Sequence, residues 1–182
     1  VLYGFNGTSP VPIRIDPSTR VFNSIELEHG YVHDGIDFSS TDTATVDSGS
    51  TRVYKITTPD TTKWAHLVWE IDGTAITQID VYEGGARNNG TGLTIYNRDR
   101  NSVTANTTTV VHTPDAGANG TIIYTEKFGL ATGNNARQAG YSRPSAEVVL
   151  KRNTQYIIVV SSSTNGNIIS SRFRWYELID KN

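Results

Sequence analysis

From Lys63 to Asp72 the chain alternates, with Ala65, Leu67, Trp69 and Ile71 on one side and Trp64, His66, Val68 and Glu70 on the other. Successive side chains of a strand point to opposite faces, so the segment predicts a strand with one core face and one outer face. After Asp72-Gly73 the period resumes from Ala75 to Tyr82, where Ile79 and Val81 oppose Gln78 and Asp80. Asp-Gly accepts the positive φ of tight turns, and the two segments read as a hairpin. The end of the chain gives a second such pair. Tyr156, Ile158 and Val160, with Ile157 and Val159 between them, predict a strand apolar on both faces. Thr164 to Asn167 turns the chain, after which Ile169, Ser171, Phe173 and Trp175 face inward and Arg172 and Arg174 face outward.

The period-2 segments together are 21–28, 52–57, 63–72, 75–83, 92–97, 107–112, 121–128, 146–151, 155–162 and 168–178, and none shows a sustained 3.6-residue repeat. Glycine- and asparagine-rich turns separate them, as in 84–90, 115–120 and 132–135. This pattern predicts an all-β fold, an antiparallel β-sandwich of jelly-roll-like type. Residues 1–19 differ: Pro10, Pro12 and Pro17 recur among Val11, Ile13 and Ile15. Proline fixes φ and removes a ladder donor, so this stretch reads as an extended arm on a sandwich domain of residues 20–182.

At 182 residues and 19.9 kDa the chain suits one well-buried domain. A net charge of -2, with Lys and Arg dispersed, offers no basic stripe for nucleic acid. Cysteine is absent, which excludes disulfides, thiolate metal sites and a cysteine nucleophile. There is no run of about 18 apolar residues to span a bilayer, and the start at Val1 lacks the regions of a signal peptide. We expect no membrane partner.

Candidate chemistry is sparse. His29, His33 and Asp37 form a conceivable metal set, but the glycine-interrupted segment reads as a strand end and turn, which does not converge side chains four apart. Asp37, Asp42 and Asp47 could line a calcium loop, yet their spacing misses the known calcium signatures and reads as a solvated loop. Glu26 with Glu28, or Asp80 with Glu83, are carboxylate pairs of the kind glycoside hydrolysis uses, and equally ordinary on a wet strand face. No nucleophile elbow, zincin motif or phosphate loop occurs. We expect no catalytic residue, cofactor or bound metal. Trp69 and Trp175 fall on core faces; Trp64 and Tyr176 fall on outer faces, where an aromatic serves as a sugar platform or a subunit anchor.

Four strings carry a resemblance: Thr58-Pro-Asp-Thr-Thr-Lys-Trp-Ala-His66 running into Trp69-Glu-Ile-Asp-Gly73; Val81-Tyr-Glu-Gly84; Tyr96-Asn-Arg-Asp-Arg-Asn-Ser102; and Leu150-Lys-Arg-Asn-Thr-Gln-Tyr156 with Asn165-Gly-Asn167 and Trp175-Tyr-Glu177. Over residues 50–182 the chain resembles phage-encoded virion proteins that decorate or cement the capsid. The resemblance implies a non-enzymatic virion structural role, on the head, a fibre or the tail; within it we expect a place on the capsid exterior, synthesis in the host cytoplasm and the major capsid protein as partner. Symmetric lattices add the expectation of a homo-oligomer, trimer or dimer. On this reading the contact residues are Leu2, Tyr3, Phe5, Val11, Ile13 and Ile15 of the arm, with Trp64, Arg98 and Arg100 on the body. The alternative is a carbohydrate-binding sandwich of a virion appendage, recognising host glycans through exposed aromatics and the loops 84–90 and 132–141.

Overall fold

The computed structural model describes residues 3–5, 10–12, 27–129, 138–141 and 147–179. Two antiparallel sheets pack face to face as the alternation predicts. The first has the order β10 (Thr121–Phe128), β6 (Thr77–Glu83), β13 (Gln155–Ser162), β4 (Thr51–Thr57), β9 (Thr109–His112), β7 (Thr91–Gly92). The second has the order β11 (Gln138–Tyr141), β5 (Lys63–Gly73), β14 (Asn167–Ile179), β3 (Asp37–Val46), β8 (Ile95–Asn97), with β12 (Val148–Val149) also on β5. The sets β3-β14-β5-β11 and β4-β13-β6-β10 hold the eight strands of a jelly roll. One short helix, α1 (Leu27–His33), precedes β3. In the arm, β1 (Tyr3–Phe5) and β2 (Pro10–Pro12) pair as a two-stranded ladder, where the prolines had predicted extended backbone with few ladder bonds.

The predicted faces hold. Ala65, Leu67, Trp69 and Ile71 of β5 and Ile169, Ser171, Phe173 and Trp175 of β14 are buried between the sheets. Tyr54 meets Phe173 edge to face at 4.9 Å, and Trp69 meets Tyr124 likewise at 5.4 Å. Such ring pairs contribute roughly 0.5–1.5 kcal/mol beyond the area they bury. Ile157, on the outer face of β13, is fully buried under the 84–86 loop, where a Cβ on Gly85 would come within 2.4 Å of it. That accounts for a strand apolar on both faces.

The two predicted hairpins are corrected. β5 and β6 lie in different sheets, as do β13 and β14, so each pair is a corner that crosses the sandwich. Gly73 does not have positive φ. Asn167, 1 % exposed, ties the corners together: its Oδ1 accepts from the Ala75 amide (3.0 Å), and its Nδ2 donates to Thr77 Oγ1 (2.9 Å) and Ser162 Oγ (3.2 Å). One buried side-chain amide thus satisfies polar groups of both corners.

Residues 37–46, read as a solvated loop, are a strand paired on both sides, with β14 and β8. Residues 27 and 28, the end of a predicted strand, are helical, and 21–26 lie outside the described residues. The predicted strand 92–97 divides into β7 and β8, one in each sheet.

Candidate functional site

Ile36-Asp37-Phe38 enters β3 with Phe38 in the core and Asp37 on the outer face of the second sheet. Asp37 is nonetheless wholly shielded from solvent, because two guanidinium groups close over it. Arg174 of β14 donates from Nη2 to Oδ2 at 2.7 Å, and Arg98, just after β8, donates from Nη1 to the same oxygen at 2.9 Å. A buried carboxylate needs such charge-assisted donors to offset its lost hydration. Beside this knot a groove of about 340 Å³ crosses the sheet, lined by Ser39, Thr41, Val68, Glu70, Arg98, Arg172 and Arg174. Arg172 pairs with Glu70 at 2.6 Å across the β14–β5 ladder.

The loop after β8 is held by its own polar side chains. The Asp99 amide donates to Asn97 Oδ1 and the Asn101 amide to Asp99 Oδ1, each at 2.9 Å, while Asn97 Nδ2 donates to the Gly35 carbonyl at 2.8 Å. Such Asx-type turns fix a loop without a hydrophobic core of its own. Gly35 has φ +67°, and a Cβ there would lie 2.2 Å from Ser102 Oγ. The string Tyr96 to Ser102 therefore works by locking this loop against the start of β3. It holds Tyr96, 49 % exposed, at the rim of the outer face, with the Arg100 guanidinium 5.2 Å from its ring centroid.

Farther along the same face, α1 docks through a ring stack. Tyr31 lies 4.4 Å from Tyr176, whose ring also stacks on His66 at 4.5 Å. Glu147 Oε1 accepts from Tyr176 Oη at 2.6 Å and pairs with His66 Nδ1 at 2.7 Å. Burial, then the charges of Glu147 and Asp34, push the Tyr31 phenol above its ordinary value. At the bottom of the sandwich the carboxylate of Glu177, 2 % exposed, accepts from the amides of Thr107 and Thr108, from Thr107 Oγ1 and from Trp175 Nε1. The Trp175-Tyr-Glu177 string is thus a structural lock.

The structure sorts the predicted residues. Arg98 lines the groove, whereas Arg100 lies beside Tyr96 in the loop after β8 and is not among the lining residues. Trp64 is on the same outer face but half-buried at the start of β5, with Arg152 5.9 Å from its ring centroid, and does not line the groove. Tyr3, Phe5 and Val11 lie on β1 and β2; Leu2, Ile13 and Ile15 lie outside the described residues, as does most of the loop 132–141. Asp37 and Asp42 point to opposite faces of β3, and Asp42 binds Arg52 (2.7 Å) and Tyr54 Oη (2.9 Å), so the aspartates form no calcium loop. Asp80 and Glu83 likewise separate. Asp80 faces outward beside Gln78, whereas Glu83 binds Lys151 (2.6 Å) and Tyr156 Oη (2.9 Å). Contrary to the turn expected there, His29 and His33 are on a helix and their Nε2 atoms are 2.8 Å apart, but Asp37 is committed elsewhere. Sequence reasoning missed Asp37 as an arginine anchor, because its burial depends on residues 61 and 137 positions away.

Comparison of the chain with protein-family models, curated proteins and solved structures finds no match.

Proposed function

We propose that the chain is a non-enzymatic structural protein of a phage virion, which binds the major capsid lattice as a decoration or cement protein and stabilises the head. The observation that carries this reading is the preformed rim of Tyr96, Arg98 and Arg100 on the outer face of the second sheet. Tyrosine and arginine are the side chains that dominate protein interfaces. Arg98 is already anchored by a buried carboxylate, so less side-chain freedom is lost when it docks. Each contact is modest; repetition over a symmetric shell, with the arm reaching a neighbouring subunit, converts weak contacts into avidity. The test is co-sedimentation with capsids lacking the protein, with and without residues 1–19. Saturable binding that weakens without the arm supports the reading, and arm-independent binding removes the tether from it.

A second reading rests on the groove itself. Its volume of about 340 Å³ falls in the range of small-molecule sites, and its hydroxyl, carboxylate and guanidinium lining beside an exposed tyrosine suits a glycan. A glycan array separates the two: saturable binding abolished by Tyr96→Ala favours an appendage that grips host sugars, and background signal throughout removes that reading.

A further inference from the structure

We propose that His29 and His33 together chelate a divalent transition-metal ion through their Nε2 atoms. Helix α1 places residues four apart on one face, and both imidazoles are exposed, so an ion reaches them without disturbing the core. The Nε2 atoms stand 2.8 Å apart, with ring centroids at 4.6 Å and planes inclined by 63°. Metal–nitrogen bonds of about 2.0–2.1 Å meeting at a right angle put the two nitrogens about 2.9 Å apart; a tetrahedral angle puts them at about 3.3 Å. The observed spacing matches the right-angled bite.

Neutral imidazole pairs with tetragonal geometry favour Cu(II) and Ni(II), with Cu(II) the tighter by the general order of divalent affinities. Among the described residues no group of three or more His, Asp or Glu side chains is gathered for a metal. The site therefore offers two protein nitrogens, and water completes the shell. Such an open site exchanges its ion and binds less tightly than a closed four-ligand centre.

A direct N–H···N hydrogen bond between neutral rings also gives 2.8 Å, with one ring as donor and the other as acceptor. Two exposed rings gain little from that bond over bonds to water. A metal bridge adds a consequence that the hydrogen bond does not. Helix α1 has seven residues and contains Gly30, too short to be stable alone, and a clip across one turn would hold its Tyr31 against Tyr176.

The experiment is titration of the full-length, untagged protein with CuCl2 and NiCl2, followed by calorimetry and, for copper, electron paramagnetic resonance. One ion per chain is expected, with a copper spectrum showing two equivalent nitrogen donors. His29→Gln and His33→Gln should each weaken binding at least tenfold, while His112→Gln, on β9, leaves it unchanged. Near-ultraviolet circular dichroism that is the same in all variants shows that the loss is one of ligands, not of fold. Unaltered binding in both variants, or no saturable binding up to millimolar metal, overturns the proposal.

Discussion

Asp37 and Arg174 are diagonal neighbours across the β3–β14 ladder, joined through Nη2–Oδ2 at 2.7 Å on the outer face of a sheet, and the carboxylate between them and Arg98 is fully buried. This knot fastens the loop after β8 to the central strand of the second sheet. Asp37→Ala removes the anion that both guanidinium groups surround. Breaking a buried pair on one side costs about 3–5 kcal/mol, and the solvent access of the two arginines sets the lower end as the expectation. Urea unfolding should show a lower midpoint with an unchanged slope; a loss under about 0.5 kcal/mol contradicts an anchoring role.

Glu177 is a second buried anchor, and its oxygens accept every hydrogen bond they make. Glu177→Ala removes the oxygen that accepts from both the Thr107 and the Thr108 amides. An amide left without its acceptor costs about 1–3 kcal/mol. Hydrogen exchange should speed selectively at those two amides, and protection equal to wild type would argue that the carboxylate is dispensable.

Gly35→Ala tests the lock beneath the groove rim. The residue has φ +67°, and the added methyl meets Ser102 Oγ at 2.2 Å. The left-handed conformation alone costs a non-glycine residue roughly 1–2 kcal/mol. The substitution should lower the thermal midpoint, and adding Ser102→Gly should recover part of the loss by relieving the contact. No recovery would mean that backbone strain alone is responsible.

The tyrosines give a pH dependence. Burial pushes Tyr54, Tyr124 and Tyr156 each up to about 12, with carboxylates Asp42, Glu126 and Glu83 beside them acting in the same direction. Folded-state values above the unfolded value of about 10 mean that the stability from these groups is whole below pH 10. It is lost as pH rises from 10 through 12. Unfolding free energy should fall across that window, and Tyr54→Phe should make the fall shallower. At the acid end, hydrogen bonds from Lys151 and Tyr156 lower the Glu83 value, so its contribution is present above the ordinary carboxylate range and is lost on further acidification. Lys151 is 68 % exposed, which keeps that contribution small.

The faces of β5, β13 and β14 were legible because apolar alternation reports which side of a strand is buried. Their neighbours were not, since a period of two residues is the same for a hairpin and for a corner that changes sheets. The deciding contacts, from Asn167 to residues 75 and 77, span about ninety positions of sequence. Strand β3 was hidden for another reason. Its inner face carries Ser40 and Asp42 among Phe38, Ala44 and Val46, and Arg52 and Tyr54 of β4 compensate the charge. Helix α1 is too short to show a repeat. Of the site, Arg98 stands out in its string, whereas Asp37, Tyr31 and Glu147 gain their contacts only through tertiary structure.

In the proposed function the rim of the second sheet docks on a capsid lattice. The most direct measurement of this docking is co-sedimentation of the protein with capsids assembled without it, comparing wild type with Tyr96→Ala/Arg100→Ala, which leaves the Asp37 knot intact. Wild type should bind saturably, and the variant at least tenfold more weakly at equal stability. Equal binding by both proteins, or no saturable binding by wild type, would contradict it.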